Sequence, residues 1–380
     1  MIPYLALIIV ILMLGVINRE TDIVGRPKRN FCVFFACVVF TFVSGFRADT
    51  VGADTYNYQQ FFLWVSSLNF SEVASTDTLL WNSQGTEVTY KYFNWLIGQF
   101  FKNPQSITMA CAIVLAVVLF LIVIQQSKDP WLSILLFVCL GFFQTSMNIA
   151  PSCIASLCVL LGCRYVIRRS LLKFLGCIAL GCIFHYSALL FLPIYLIPKL
   201  KLSFKFVLIY LLCGFMFLPV VYPLLVNIMG AFAPDRWSQY LTVSRINLSQ
   251  LLVWLFYFVL FIFARFVSDK SKRRTVELDL YNGLFLIVGL AYALTLCSTS
   301  FSRIAILFAP FLILAIPEYL SIVKSRYFNK RGSLANRSEK YLVLYCNHAK
   351  TIIVVVSIVI FAVRLLVNNI GMTIPYEICF

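Results

Sequence analysis

The chain has 380 residues, 61% of them hydrophobic and 12% charged, with a formal net charge of +16 and a mean hydropathy of +0.91. A soluble domain carries about 25% charged residues, so the composition excludes a soluble globular protein and predicts one all-α integral membrane domain over residues 1–380. The basic residues fall in short loops between apolar runs, which excludes nucleic acid as the reason for the charge and matches the cytoplasmic bias of Lys and Arg.

Taken in chain order, apolar runs predict spans near 2–17, 31–46, 105–124, 131–150, 152–168, 172–184, 186–198, 204–228, 249–267, 280–299, 304–322 and 351–368. That gives about 12 transmembrane helices in a polytopic bundle, with 172–198 readable as one bent helix or as a hairpin of two short ones. The first run, MIPYLALIIVILMLGVINRE, has no basic leading region and no small-residue cleavage site, so it reads as a span and not as a cleaved signal. All Lys and Arg except Arg47, Lys91, Lys102, Arg236, Arg245, Arg303 and Arg364 lie in one alternating set of loops. Assigning that set to the cytoplasm puts both termini outside, with a long outer segment at about 47–104 and a second outer loop at about 230–248. Within the first, YKYFNWLIGQFF (90–101) reads as a helix lying in the membrane interface. The 13 cysteines are scattered, mostly within apolar runs, without a CxxC pair, and read as small packing residues.

The outer side concentrates the chemistry. FRADTVGADTYNYQQFF (46–62) follows the second run and gathers Arg47, Asp49, Gly52, Asp54, Tyr56 and Tyr58. Arg47, Arg245, Arg303 and Arg364 offer planar forks suited to phosphate oxygens; snorkelling to lipid headgroups is the alternative use of each. Arg364 lies inside the last apolar run, where a charge is expensive and usually faces a cavity and a partner. Asp49 and Asp54 lie five apart and need the turn that Gly52 supplies. They suit a divalent cation, but equally the orienting of arginines or the deprotonation of a hydroxyl. His185, one of two histidines, stands where two short runs meet. A satisfied core histidine and a base, or a donor to a phosphate or sugar hydroxyl, are both open there, and a broken helix favours the second. Tyr56, Tyr58, Trp64, Tyr90, Tyr92 and Trp95 fit either an interfacial aromatic belt or stacking against sugar rings.

Several stretches, in the same order along the chain, resemble the EpsG family of bacterial exopolysaccharide polymerases, related in role to Wzy-type O-antigen polymerases. FRADTVGADTYNYQQFF resembles its R…G-x-D-x-x-x-Y motif after the second span. TEVTYKYFN (86–94) is similar to its E-x-x-Y segment, with Glu87 and Tyr90, and IFHYSALLFLPIYLI (183–197) to its F-H-x-S-A…L-P block, with His185. FSRIAILFAPFLILAIP (301–317) resembles its late arginine segment, with Arg303, and IPYEICF (374–380) its Pro-Tyr tail. One departure stands out. Many members carry an Arg-Gln pair, preceded by Asn, at the start of the fifth span; this chain has Asn148, then Pro151 and Ser152 in the Arg-Gln places.

The resemblance implies a GT-C-like, O-antigen-polymerase-like bundle in the bacterial inner membrane. It implies a substrate of oligosaccharide repeat units linked through diphosphate to undecaprenol, presented at the outer face, with a flippase and a chain-length regulator as neighbours. It implies no cofactor and no protein metal site, a divalent cation being left open. The reaction expected is glycosyl transfer, with Arg47 and Arg303, helped by Arg245 or Arg364, stabilising the departing diphosphate. His185, Asp54 or Glu87 would be the base, and Asp49, Tyr58, Asn148 and Tyr90 complete the substrate-binding set. A lipid-linked oligosaccharide flippase would show two related halves and charge on both sides of its path, whereas no internal repeat is found. An O-antigen ligase differs only in its acceptor. An acyltransferase would turn its basic set toward cytoplasmic acyl-CoA, and a purely structural protein has no use for the outer arginines.

Overall fold

Long runs of Leu, Ile, Val and Phe form helices in a bilayer, because lipid offers no partner to an open backbone N–H or C=O. The computed structural model describes residues 2–21, 26–75, 87–200, 248–269, 275–295, 302–329, 338–366, 369 and 372–379. In chain order the helices are α1 (Ile2–Thr21), α2 (Arg26–Gly45), α3 (Thr55–Ser66), α4 (Glu72–Ser75), α5 (Val88–Phe100), α6 (Gln105–Gln126), α7 (Pro130–Cys139), α8 (Phe142–Asn148), α9 (Ala150–Ile167) and α10 (Leu171–Cys182). A 3₁₀ run, Tyr186–Lys199, follows. Then come α11 (Leu248–Asp269), α12 (Val276–Thr295), α13 (Ser302–Phe308), a 3₁₀ turn at Ala309–Phe311, α14 (Leu312–Asn329) and α15 (Ser338–Leu366). Among the described residues the only β pairing is a single bridge between Arg47 and Ile378.

The chain forms two compact units, Met1–Leu192 with Leu312–Phe380, and Pro193–Phe311. In the first, α2 packs on α6, α6 on α9, α9 on α10, and α3 on α5. In the second, α11 packs on α12 and α12 on α13. There Trp254, Tyr257, Phe261 and Ala264 form the buried stripe of α11, with the Tyr257 ring stacked on Tyr292 at 4.4 Å.

Four helices are long and apolar enough to cross a membrane: Gln105–Gln126, Ala150–Ile167, Val276–Thr295 and Arg303–Val323. The bent pair α7 and α8 makes a fifth if it counts as one span. Ile2–Val16, Asn30–Gly45, Leu171–Cys182, Tyr186–Lys199 and Trp254–Ser268 are apolar but shorter. The expected dozen full-length spans is therefore not reached among the described residues, because several of the apolar runs are short or broken helices. The span expected at 204–228 and the loop at 230–248 lie almost wholly outside the described residues. The all-helical membrane class holds, and α1 shows it locally. Its Tyr4, Leu7, Ile11 and Leu14 are buried while Ile2, Leu5, Ile9, Met13 and Val16 are exposed, so both faces are apolar and one is left for lipid.

The run expected as one helix at 131–150 breaks at Gly141, with a 56° bend between its halves. Gly141 adopts φ +82°, a left-handed conformation that costs a residue with a Cβ. The bend frees the Leu140 carbonyl, and a freed carbonyl inside the protein needs a donor. Arg364 Nη1 on α15 supplies it. Near the middle of α15, Lys350 pairs with Asp129 and stands 5.0 Å over the Trp131 ring. α15 thus braces the start of α7 and the break that follows it. The segment 172–198 resolves into α10 and the 3₁₀ run, whose Pro193 and Pro198 lack the N–H that an α-helical ladder requires.

Gly141→Ala is expected to destabilise the protein by about 1–3 kcal/mol, since a Cβ there forces a strained backbone and would stand 2.6 Å from Arg364 Nη1. Thermal unfolding of the purified protein checks this; an unchanged midpoint would show that the bend does not depend on the glycine.

Candidate functional site

The loop after α2 is organised from inside by Arg47, which is only 3% exposed. Its Nε donates to Thr55 Oγ1 at 3.3 Å, Nη1 to the Ser44 carbonyl and to Ser44 Oγ at 3.0 Å, and Nη2 to the Met147 carbonyl at 2.9 Å. One guanidinium therefore joins the end of α2, the first turn of α3 and the end of α8. Burial pushes its pKa down to about 10, so it stays charged at neutral pH. Gly52 makes the turn with φ +97°. A Cβ on it would stand 3.1 Å from the Met147 carbonyl oxygen and 3.2 Å from Asn148 Oδ1, so the loop lies directly on the α8–α9 junction. Asn148 Oδ1 accepts from the Ala53 N–H at 2.6 Å. Gln105 Nε2, at the start of α6, donates to the Gly45 and Arg47 carbonyls at 2.6 and 2.8 Å.

The C-terminal tail closes over the same loop. Ala48 N donates to the Glu377 carbonyl and Cys379 N to the Phe46 carbonyl, both at 2.9 Å, and Gly52 N donates to the Met372 carbonyl at 3.0 Å. Thr50 Oγ1 donates to Glu377 Oε2 at 2.7 Å, and the Tyr376 hydroxyl to the Val43 carbonyl at 2.7 Å. Tyr4 on α1 donates to the Thr373 carbonyl at 3.0 Å.

A second centre forms where α5 begins. Glu87, 7% exposed, places Oε1 3.5 Å from His185 Nδ1. The same oxygen accepts from the Tyr186 N–H at 2.9 Å, and His185 Nδ1 accepts from the Ser187 N–H at 3.0 Å. With Nδ1 acting as an acceptor, the neutral ring carries its proton on Nε2. The His185 side chain is 40% exposed, so one edge is braced and the other is open. Local structure explains the placement. The Gly181 carbonyl takes the N–H groups of both Phe184 and His185 at 3.0 Å, which ends α10 and throws His185 off its tip. Thr89 Oγ1 donates to the Cys182 carbonyl at 3.2 Å, and Phe93 meets Phe184 edge to face at 5.3 Å. These contacts fasten α5 to the end of α10.

α5 also carries the link toward the loop. Tyr90 is buried, its hydroxyl 3.9 Å from Cys111 Sγ, and its ring is stacked on Phe61. Burial raises the Tyr90 phenol well above its ordinary value. Burial, then the nearby Asp54 carboxylate, does the same to Tyr58. Both phenols therefore act as neutral groups and not as bases. Asp54 precedes the first turn of α3 without a side-chain cap. Asp49 is half-buried in the loop.

Of the remaining candidates, Arg364 is turned to the helix break, Arg303 is exposed on α13 in the second unit, and Arg245 lies outside the described residues. Among the described residues no three His, Cys, Asp or Glu side chains gather as metal ligands. Two neighbours of His185 were not anticipated: Tyr186, which holds Glu87 through its N–H, and Ser187, whose Oγ is buried without a partner among the described residues. The H-x-S-A spacing around His185 is the signal that could have found them.

Arg47→Lys is expected to cost about 1–3 kcal/mol, because an ammonium cannot reach all these acceptors and leaves buried groups unsatisfied. Thermal unfolding, with limited proteolysis of the 46–55 loop, reads this out; a variant as stable and as resistant as wild type would overturn it.

No curated protein and no solved structure matches the chain. The family model described as "EpsG family" matches residues 30–378, a stretch that includes the Arg47 loop, the Glu87–His185 pair and the tail to Ile378. The chain belongs to the EpsG family.

Proposed function

We propose that this protein is a polysaccharide polymerase of the exopolysaccharide or Wzy type, a role with which the EpsG family is associated. It transfers a growing glycan from undecaprenyl diphosphate to the non-reducing hydroxyl of an incoming lipid-linked repeat unit at the outer face of the inner membrane. The observation that carries this reading is the Glu87–His185 pair, two potential proton carriers 3.5 Å apart, brought together from two separate blocks of the family pattern.

The chemistry follows from what each group can do. The acceptor hydroxyl attacks the anomeric carbon, the bond to the diphosphate oxygen breaks, and undecaprenyl diphosphate leaves as an anion. That leaving group needs no proton, so the demand on the protein is a base for the hydroxyl and a cation for the diphosphate. His185 serves as the base through Nε2 once the ring's proton has moved from Nε2, where the Ser187 N–H on Nδ1 holds it at rest, to Nδ1, where it faces Glu87. Glu87 holds the ring and stabilises the imidazolium that forms, as a buried carboxylate does beside any catalytic histidine. Asp54 is the second candidate for the base. Arg303 and Arg245 are assigned to the diphosphate. Arg47 and Asn148 act one step back, by shaping the loop that carries Asp49, Asp54 and Tyr58. Arg364 likewise shapes the α7–α8 break.

The test is a deletion strain complemented with wild type, Glu87→Gln, His185→Ala or Arg303→Ala, with lipid-linked glycans resolved by size. Losing the base should slow polymerisation by about 10²–10⁴-fold, so single repeat units should accumulate on the outer face. Normal polymer length and yield in both Glu87→Gln and His185→Ala would sink the assignment of the pair. Units trapped on the cytoplasmic face of the deletion strain would replace the polymerase with a flippase.

A further inference from the structure

The turn from α9 to α10 lies apart from the groups used above and has its own charge pattern. Arg164, Arg168, Arg169 and Lys173 fall within ten residues, and the sequence contains no Asp or Glu between Asp129 and Asp235. The turn is tightly made. Arg169 adopts φ 57°, its N–H donates to the Val166 carbonyl at 3.1 Å, and the Ser170 N–H donates to the Tyr165 carbonyl at 2.9 Å. The Tyr165 ring gathers two of the cations, with Arg164 Cζ 4.4 Å and Lys173 Nζ 6.0 Å from its centroid. Arg164 also donates to the Tyr165 hydroxyl. Arg168 and Arg169 project into the open.

Directly beside them the chain exposes an apolar strip. Leu172 is 83% exposed, and Leu171, Leu175, Leu180 and Ile183 continue the exposure along α10. A leucine so bare next to a cluster of arginines is costly in water and natural at the boundary between headgroups and acyl chains. α10, at 12 residues, is about 18 Å long, too short to cross the hydrocarbon core. Its apolar strip suits acyl chains, and the exposed Arg168, Arg169 and Lys173 beside it suit headgroup phosphates.

We propose that the α9–α10 turn is a binding site for an anionic phospholipid. Arg168, Arg169 and Lys173 engage the headgroup phosphate, Arg164 holds the Tyr165 ring that aligns Lys173, and the leucine strip takes the acyl chain. This site is independent of the polymerase reading and of the Glu87–His185 pair.

The experiment uses the purified full chain in mixed micelles with phosphatidylcholine alone or with added phosphatidylglycerol, following bound lipid by native mass spectrometry and unfolding by temperature. Wild type should retain phosphatidylglycerol in preference to phosphatidylcholine, and the preference should shrink as salt rises. Arg168→Gln, Arg169→Asn and Lys173→Gln should each weaken it about fivefold. Asn is chosen at 169 because it tolerates the left-handed backbone. Arg168→Lys should keep most of the preference, which separates loss of charge from loss of fold. Equal retention of the two lipids by wild type would overturn the proposal. So would an undiminished preference in the triple variant, or release of phosphatidylglycerol by millimolar inorganic phosphate.

Discussion

One buried guanidinium holds together the loop after α2, where the ends of three helices meet beneath the C-terminal tail. Arg47 reaches Ser44, Thr55 and Met147 at once, and those three residues belong to three different helices. An arginine taken out of water is expensive unless its donors are used. The spread of acceptors offsets that cost and makes the arrangement specific, because shifting any one of the three helices strands a charged donor. Gly52, Asn148 and Gln105 then fix the loop on the frame that Arg47 sets. The same logic recurs at Arg364, which satisfies the carbonyl released where α7 bends into α8. Both arginines therefore answer to backbone geometry, and each keeps an irregular stretch of chain tolerable beside lipid.

The Glu87–His185 pair is built differently. Its two members are braced by consecutive N–H groups, those of Tyr186 and Ser187, at the start of a 3₁₀ run that two prolines keep from becoming an α-helix. The brace fixes Glu87 and one edge of the imidazole, and it leaves the other edge open. A rigid carboxylate behind a half-exposed ring is a suitable geometry for taking up and releasing a proton. A regular α-helix through 183–199 would have spent those N–H groups on its own carbonyls.

Much of the helical layout is legible in the sequence, since apolar length is a one-dimensional property. The runs at 105–124, 152–168 and 249–267 correspond closely to Gln105–Gln126, Ala150–Ile167 and Leu248–Asp269. What a hydropathy scan cannot carry is a bend within a uniformly apolar run. The break at Gly141 depends on a left-handed residue and on a donor 224 positions away. In the site, residue type pointed to the right kinds of group but not to their partners. Arginine suits a phosphate and a freed carbonyl equally well, and only the fold distinguishes them; Arg47 proves to be spent on internal acceptors. Likewise Glu87 and His185 were separate candidates, and nothing in one strand of text indicates that Tyr186 would lie against a carboxylate 99 positions earlier.

The closure of the tail over the Arg47 loop has a consequence for how the molecule is made. The hydrogen bonds that join them span 327 residues at Thr50–Glu377 and 333 at Tyr376–Val43, and the Tyr4–Thr373 bond spans 369. At a synthesis rate of about 5–20 residues per second, the loop leaves the ribosome roughly 15–65 s before its cover exists. For that interval the early helices must wait in the membrane with Arg47 already desolvated or still paired with water and headgroups. The Arg47 loop therefore closes only once residues 372–379 have emerged, whereas the Glu87–His185 pair needs nothing beyond Ser187.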